Sequence, residues 1–457
     1  MAATTNLGGV FTTDLDNNIT SSSPGYVSTE NVCGMIFDTG LVGGLTECLG
    51  SGTLAFTTFG GGNVVELNKL KDLETVGITE ETMSGLPYYH INQFFTLAGS
   101  DQRLFVSFMD SSSDTDFSAI EKMQLASNGI IYQIGLWTAT PIGTTGETVY
   151  TVNTNGLLSK LHAQAELVGG RVGETNFDGN APLNIVVNAP VINAAACDVA
   201  KLPDLSELNY PKVTVSLGQA ATDAVHAIQF ALTKTNVFPV VGNIGAAMAC
   251  LAVAPADESI GHVENFNLGA AIPDAELGFG NLVKESGATE WGANTSFTNI
   301  KSLRYAVRNT NLHKKGYVFI TNYDGLENST FFSSDQTLTT GDYRSIARCR
   351  VMHKSRRVVR RALLPFVNSP VEVDASTGFL SASDTTAFMN VVMEAIDGNM
   401  VQPGTTVPQI SGRQIDIPEE QNVLVNDQIL INYLLVPKGC ASGIYVTEGF
   451  SMTATTA

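Results

Sequence analysis

Residues 343–367 read YRSIARCRVMHKSRRVVRRALLPFV, and the fold turns on what that stretch packs against. Eight of the chain's 25 lysines and arginines lie between Arg344 and Arg361, in a protein of net charge −19. Wound as an α-helix at about 100° per residue, the segment separates into two faces. Val351, Met352, Val358, Val359, Ala362 and Leu363 take one arc; Arg350, Lys354, Arg356, Arg357, Arg360 and Arg361 take the other, with His353 among them. Arg350, Lys354, Arg357 and Arg361 form the centre of the basic stripe, and Pro365 ends the helix. Like charges at i, i+4 repel, whereas a solubilising face mixes signs. No acid stands in this stretch, so the stripe asks for an anionic partner; the plainer reading is a solvated surface helix.

Composition bounds what the rest can be. A chain of 457 residues, 44% hydrophobic and 15% charged, buries a large core and divides into more than one domain. Residues 1–300 carry 10 basic and 30 acidic side chains, and residues 301–457 carry 15 and 14, so the two parts face different surroundings. The acidic balance argues against general nucleic-acid binding, which needs a basic surface spread over the domain. Six scattered cysteines without a CxxC indicate neither zinc nor a disulfide framework and read as buried reduced thiols. MAATTNLGGV lacks the pattern of a signal peptide, which implies folding in the cytoplasm. The most apolar run, residues 236–255, is broken by Pro239, Gly242 and Gly245 and reads as a buried core helix rather than a membrane span.

Along the chain two periods alternate. RLFVSFM (103–109), GIIYQIGLW (129–137), PLNIVVNAP (182–190) and KVTVSLG (212–218) have strand character, with helical patterns at 117–127, where Asp116 is the expected N-cap, and at 156–168. Residues 28–290 therefore read as an outer α/β region. Residues 291–438 form a smaller α+β domain holding a strand at 316–325, a capped helix at 383–396 and a strand, QILINYLLVP (428–437), apolar on both faces and so expected to be deeply buried. The ends, 1–27 and 439–457, hold lone β-like pieces; in the second, Ile444, Val446 and Phe450 alternate. A lone strand is unstable by itself, so such arms add to a sheet of their own chain or of a neighbour, or simply fray.

Signatures of catalysis are scarce. No GxxxxGK[ST] or GxSxG occurs, FGGGNVVEL (59–67) lacks dinucleotide-loop spacing, and DLDNNI at Asp14 fails as a calcium loop because Ile19 stands where glycine is needed. The histidines show no metal-ligand spacing. Neither catalytic residues, a metal site nor a cofactor is expected.

Several segments resemble contractile tail sheath proteins of bacteriophages and related injection particles: ADESIGHVENFN (256–267), KGYVFITNYDG (315–325), residues 339–378 around the basic helix, and IDIPEEQNVLVNDQILINYLLVPKGCASGIYVTEGF (415–450). LKDLETVGITEE (70–81), YYHINQFFTLAG (88–99) and AIEKMQLASNGIIYQIGLW (119–137) are similar too, and Met352-His353 departs from the pattern. The resemblance implies a multi-domain subunit with an inner sheath core domain, an outer α/β domain and extended arms that donate strands to neighbours. It implies hexameric rings stacked helically on a tail tube, a baseplate and a tail terminator as partners, and contraction that drives the tube through a target envelope, as in genome ejection. On this reading Arg350, Lys354, Arg357 and Arg361 dock on the tube, Ile444, Val446 and Phe450 belong to the C-terminal arm, and the protein resides in a virion tail or injection particle assembled in the bacterial cytoplasm, without membrane insertion. The competing readings are a soluble α/β enzyme and a nucleic-acid-binding protein that uses the arginine helix on phosphates.

Overall fold

The computed structural model describes residues 31–50, 57–58, 63–100, 102–169, 181–192, 199–232, 237–278, 282–283, 297–299, 312–323, 325–326, 329–401 and 407–441. The strands that matter here are β1 (Cys33–Asp38), β2 (Val65–Leu67), β3 (Leu104–Met109), β4 (Gln133–Trp137), β5 (Asn184–Asn188), β6 (Val213–Leu217), β7 (Tyr317–Thr321), β8 (Phe331–Phe332), β9 (Ile410–Asp416) and β10 (Asn432–Pro437). The helices are α1 (Leu86–Ala98), α2 (Ala119–Ala126), α3 (Leu157–Val168), α4 (Ile244–Val253), α5 (Ile346–Leu363) and α6 (Ala382–Ile396).

β1 to β8 form one sheet in the order β8-β7-β6-β5-β4-β1-β3-β2. Its six central strands are parallel, while β2 and β8 pair antiparallel at the edges. Every residue of β1, β3, β4, β5 and β6 is buried, because helices cover both faces, and this is why these strands read as continuous apolar runs instead of alternating ones. α2 and α3 pack on one face, while α4 packs on β4, β1 and β5 and against α1, whose His90 ring stacks on Phe37 of β1. Every α4 residue from Ile244 to Ala252 is buried, which accounts for its uniform apolarity. α1 and α4 approach closely at Gly245, where an added Cβ would stand 2.2 Å from the His90 carbonyl oxygen.

Local signals explain the helix ends. Asn128 and Gly129 both take positive φ and stop α2, as their sequence suggests. The cap at the other end differs from expectation: Asp114, not Asp116, accepts from Ser118 N and Ala119 N, both at 2.9 Å. Ser345 caps α5 by accepting from Arg348 N, and Ser381 caps α6 through Asp384 N.

The sheet also moves a boundary. Tyr317–Thr321 and Phe331–Phe332, placed by sequence in the C-terminal domain, are strands of the large sheet, and Tyr317, Phe319, Phe332 and Leu338 belong to its core. The α/β unit therefore runs to the start of α5. Beyond it, α5, α6 and the β9–β10 hairpin enclose two smaller cores, one around Val351, Val359, Val392 and Ile396, the other around Leu380, Phe388 and Ile417. Among the cysteines, Cys33, Cys250 and Cys349 are buried thiols, whereas Cys440 is exposed; Cys197 lies outside the described residues. No helix among the described residues is long and apolar enough to cross a membrane.

Replacing Gly245 by alanine forces its methyl group against the α1 backbone, which cannot give way as a side chain could. The expected cost is about 1–3 kcal/mol, read as a lower urea midpoint at unchanged slope.

Candidate assembly interface

α5 lies across the amino-terminal edge of the parallel sheet. In a parallel α/β layer the helices run opposite to the strands, so their C-termini gather at the edge where the strands begin. That edge presents unsatisfied carbonyls and the negative ends of the helix dipoles. The basic face of α5 lies on this edge. The Arg350 guanidinium, 1% exposed, donates through Nη2 to Leu251 O (3.2 Å), Ala254 O (2.6 Å) and Asn31 Oδ1 (2.6 Å), and through Nη1 to Pro255 O (3.1 Å), closing over the end of α4. Asn31 is held in turn by its own Nδ2 on Ala254 O.

Seven residues on, Arg357 donates to Gly129 O (2.6 Å) at the end of α2, and to Ile131 O (2.9 Å) and Pro182 O (3.0 Å) ahead of β4 and β5. Its guanidinium carbon sits 4.0 Å from the centroid of the Tyr132 ring, a cation–π contact. Arg356 donates to Gly169 O (2.8 Å), the C-cap of α3. Cys349 Sγ contacts Pro211 O, just ahead of β6. The N-terminus of α5 meets the opposite charge: Asp335 accepts from Ala347 N at 3.0 Å, and burial raises its carboxyl pKa.

This placement corrects the sequence reading of the stripe. Arg350 and Lys354 are both 1% exposed and turn into the chain itself, Lys354 reaching Gln409 Oε1 at 2.7 Å. Arg357 is half-buried, and only Arg356 and Arg361 of the basic arc are exposed. The four named residues therefore do not form one outward surface. The apolar arc behaves as expected, with Val351 and Val359 buried and Leu363 packed against the cores of the C-terminal unit.

β9 and β10 correct a second expectation. The apolar strand ending at Pro437 is not deeply buried: Leu434 and Val436 are 66% and 55% exposed, while Tyr433 and Leu435 face the core. The two strands pair antiparallel from Ile410↔Pro437 to Asp416↔Asn432, with a register shift between Ile410 and Gly412. Among the described residues neither strand has a second neighbour. Ile444, Val446 and Phe450, expected in the C-terminal arm, lie outside the described residues, as does the expected N-terminal arm.

The opposite edge of the large sheet is where a doubly wound fold places a ligand. The β3-β1-β4-β5 order reverses at β1 and β4, and a crevice would open at their carboxyl ends. Here Asp38 accepts from Gly40 N (2.9 Å), Ser111 N (2.9 Å) and Thr138 Oγ1 (2.5 Å), which ties three loops together. Next to it, Asn188 Nδ2 donates to Ser216 O, and Asn243 donates from its backbone to Asn188 Oδ1 and from its side chain to Leu217 O and Gly218 O. These polar groups are spent on the fold. No group of three or more potential metal ligands occurs among the described residues.

Residues 342–455 match the C-terminal domain of the DUF2586 family, a segment that begins where the α/β unit ends. Among solved structures, a chain of the sheath complex of an extracellular contractile injection system, PVC, in its contracted state aligns over 94% of this chain and 98% of its own, at 10% identity and TM-score 0.50. A chain of the anti-feeding prophage baseplate aligns over 94% and 100%, at 10% identity and TM-score 0.47. No curated protein matches the sequence. The fold is similar to that of a chain in the contractile injection system sheath complex.

Two outcomes follow from this edge. Arg357→Ala removes a donor from three carbonyl oxygens, of which Ile131 O keeps Gln124 Nε2 at 2.9 Å, and is expected to lower stability by about 1–3 kcal/mol; Arg357→Lys recovers only part of the loss, since an ammonium cannot reproduce the planar fork. Denaturant titration measures both. The second concerns pH. His353 is buried among Lys212, Arg350, Arg356 and Arg357, and burial, reinforced by these cations, holds its pKa well below the ordinary value. His90, whose Nε2 lies 3.0 Å from Val241 O, is lowered by burial to about 4. Both stay neutral when folded, while the unfolded chain takes up protons below about pH 6.5, so their stabilisation is complete above that pH and fades as pH falls. For His90 the loss approaches about 3 kcal/mol near pH 4. His353→Gln should show a shallower fall in unfolding free energy between pH 7 and 5 than the parent chain.

Proposed function

We propose that the protein is the structural subunit of a contractile sheath, which polymerises helically around a tail tube and contracts to drive the tube through a target envelope. The observation that carries the reading is the β9–β10 hairpin: two strands, an exposed apolar pair on the outer face, and no second neighbour on either side among the described residues. A two-stranded sheet is marginal alone, and an unpaired edge is a template for another strand. Residues 442–457 follow β10 closely in sequence and carry the alternating Ile444, Val446 and Phe450. Donated to a neighbour, such an arm satisfies a row of backbone groups at once and links subunit to subunit. The likeness in fold to a sheath-complex chain supports the same reading.

On this reading subunits form six-membered rings, with the tube, the baseplate and the tail terminator as partners, in a virion tail or injection particle. The extended polymer is held by a kinetic barrier, and its release at the baseplate lets the subunits rotate outward while the exchanged strands hold. Exposed ionic contacts are worth at most about 1 kcal/mol each, so they can break ring by ring. What α5 offers an acidic tube surface is centred on exposed Arg361 rather than on the whole stripe, since exposed Arg356 also donates to Gly169 O. The two other readings have less support: the crevice at the sheet's switch point is occupied by Asp38 and the asparagines, and much of the basic face is turned inward.

Removing residues 442–457 is expected to leave a folded chain that no longer polymerises, as judged by electron microscopy and sedimentation. Striated tubes formed by the truncated protein would overturn the proposal. Arg361→Glu should leave tube-free polymers intact and weaken binding to the tail tube in a co-sedimentation assay.

A further inference from the structure

We infer that the basic face of α5 is an intramolecular coupling that makes the α/β unit and the C-terminal unit turn as a single body. The inference deepens the sheath reading by assigning residues to the transmission of motion. The two units have largely distinct cores: the large sheet and its helices form one, which Ile346 at the start of α5 joins, while α5, α6 and the hairpin form the others, one of which takes in Ala256 from beyond α4. Through its apolar arc α5 belongs to the C-terminal unit, yet its arginines enter the α/β unit at three separate places. Arg350 holds the end of α4, Arg356 the end of α3, and Arg357 the end of α2 together with the approaches to β4 and β5. Close in sequence to the Arg350 acceptors, Asp257, just beyond α4, pairs at 3.0 Å with Lys438, which follows β10.

The geometry of these anchors removes the freedom a hinge would need. Arg350 and Arg357 are seven residues apart, about 10 Å along a helix, and they grip different elements. A pivot about either one breaks the other. The acceptors matter as much as the donors. A carbonyl oxygen does not titrate, so unlike a carboxylate partner it keeps its place in the joint as pH changes. Buried contacts are also little screened by salt. Guanidinium forks suit such a site, because each meets several acceptors in fixed directions with a charge that proteins do not remove. In a rotating polymer, a joint of this kind delivers the movement of the hairpin-bearing unit to the α/β unit without slack.

Amide hydrogen exchange on the full chain, resolved by peptide, tests the coupling without requiring a polymer. In the parent protein, protected amides of α6 and of β1 and β4 should exchange with the same slowest class, since both units open together. In Arg350→Gln/Arg357→Gln, α6 is expected to exchange about tenfold or more faster than β4, as the C-terminal unit opens alone. Should the double variant fail to fold, Arg356→Gln, at an exposed residue that donates to Gly169 O, is expected to shift α6 in the same direction by a smaller factor. Identical exchange of α6 and β4 in the folded variants would overturn the inference; so would α6 already exchanging independently in the parent chain. Striated tubes from the parent chain are read separately by electron microscopy, so a chain that never polymerises refutes the sheath reading and leaves the exchange result to judge the coupling.

Discussion

The structure depends on cations meeting the negative edge of an α/β layer. Parallel strands force their crossover helices to end on one side, and each helix brings carbonyls that its own turns cannot satisfy. In many folds water or a glycine cap deals with them. Here α5 crosses that edge and supplies arginines at the ends of α2, α3 and α4. The same contacts relieve the crowding of like charge on α5, since each guanidinium lies among partial negative charges that need no ionisable side chain.

This arrangement explains how an acidic chain tolerates so basic a segment. Most described acids of the α/β unit lie at its surface, Asp38, Glu276 and Asp335 being buried, while α5 is used where the backbone itself is electronegative. It also explains the neutral His353 beside its cationic neighbours: a charged imidazole there would oppose the contacts that hold the joint. At the carboxyl edge the balance is reversed. Asp38 accepts from backbone amides and a hydroxyl, while Asn188 and Asn243, which both donate and accept, link the neighbouring strand ends.

The C-terminal unit is finished less completely. Its helices share a well-formed core, but the hairpin turns Leu434 and Val436 outward and leaves two ladders open among the described residues. The contrast with the eight-stranded sheet, whose parallel strands are flanked at both edges by short antiparallel ones, is one of degree of closure. Among the described residues the hairpin thus keeps strand edges open while the large sheet is capped at both edges.

Much was legible in the sequence because it concerns local pattern. The apolar runs at 103–109, 129–137, 182–190 and 212–218, the Asn128-Gly129 stop, the buried helix within 236–255 and the two arcs of α5 depend on side-chain period and turn chemistry, which the order of residues contains. Three features did not. The strand at 316–325 looked like part of a second domain because sequence distance hides which sheet a strand joins. Leu434 and Val436 looked like core because apolarity marks any surface withdrawn from water, including one that a partner would cover. The partner of the basic stripe was the least visible: it consists of carbonyl oxygens and helix ends, present in every residue and so marked by none, and only the tertiary structure, by bringing three helix C-termini to one edge, concentrates them into something a row of arginines can hold.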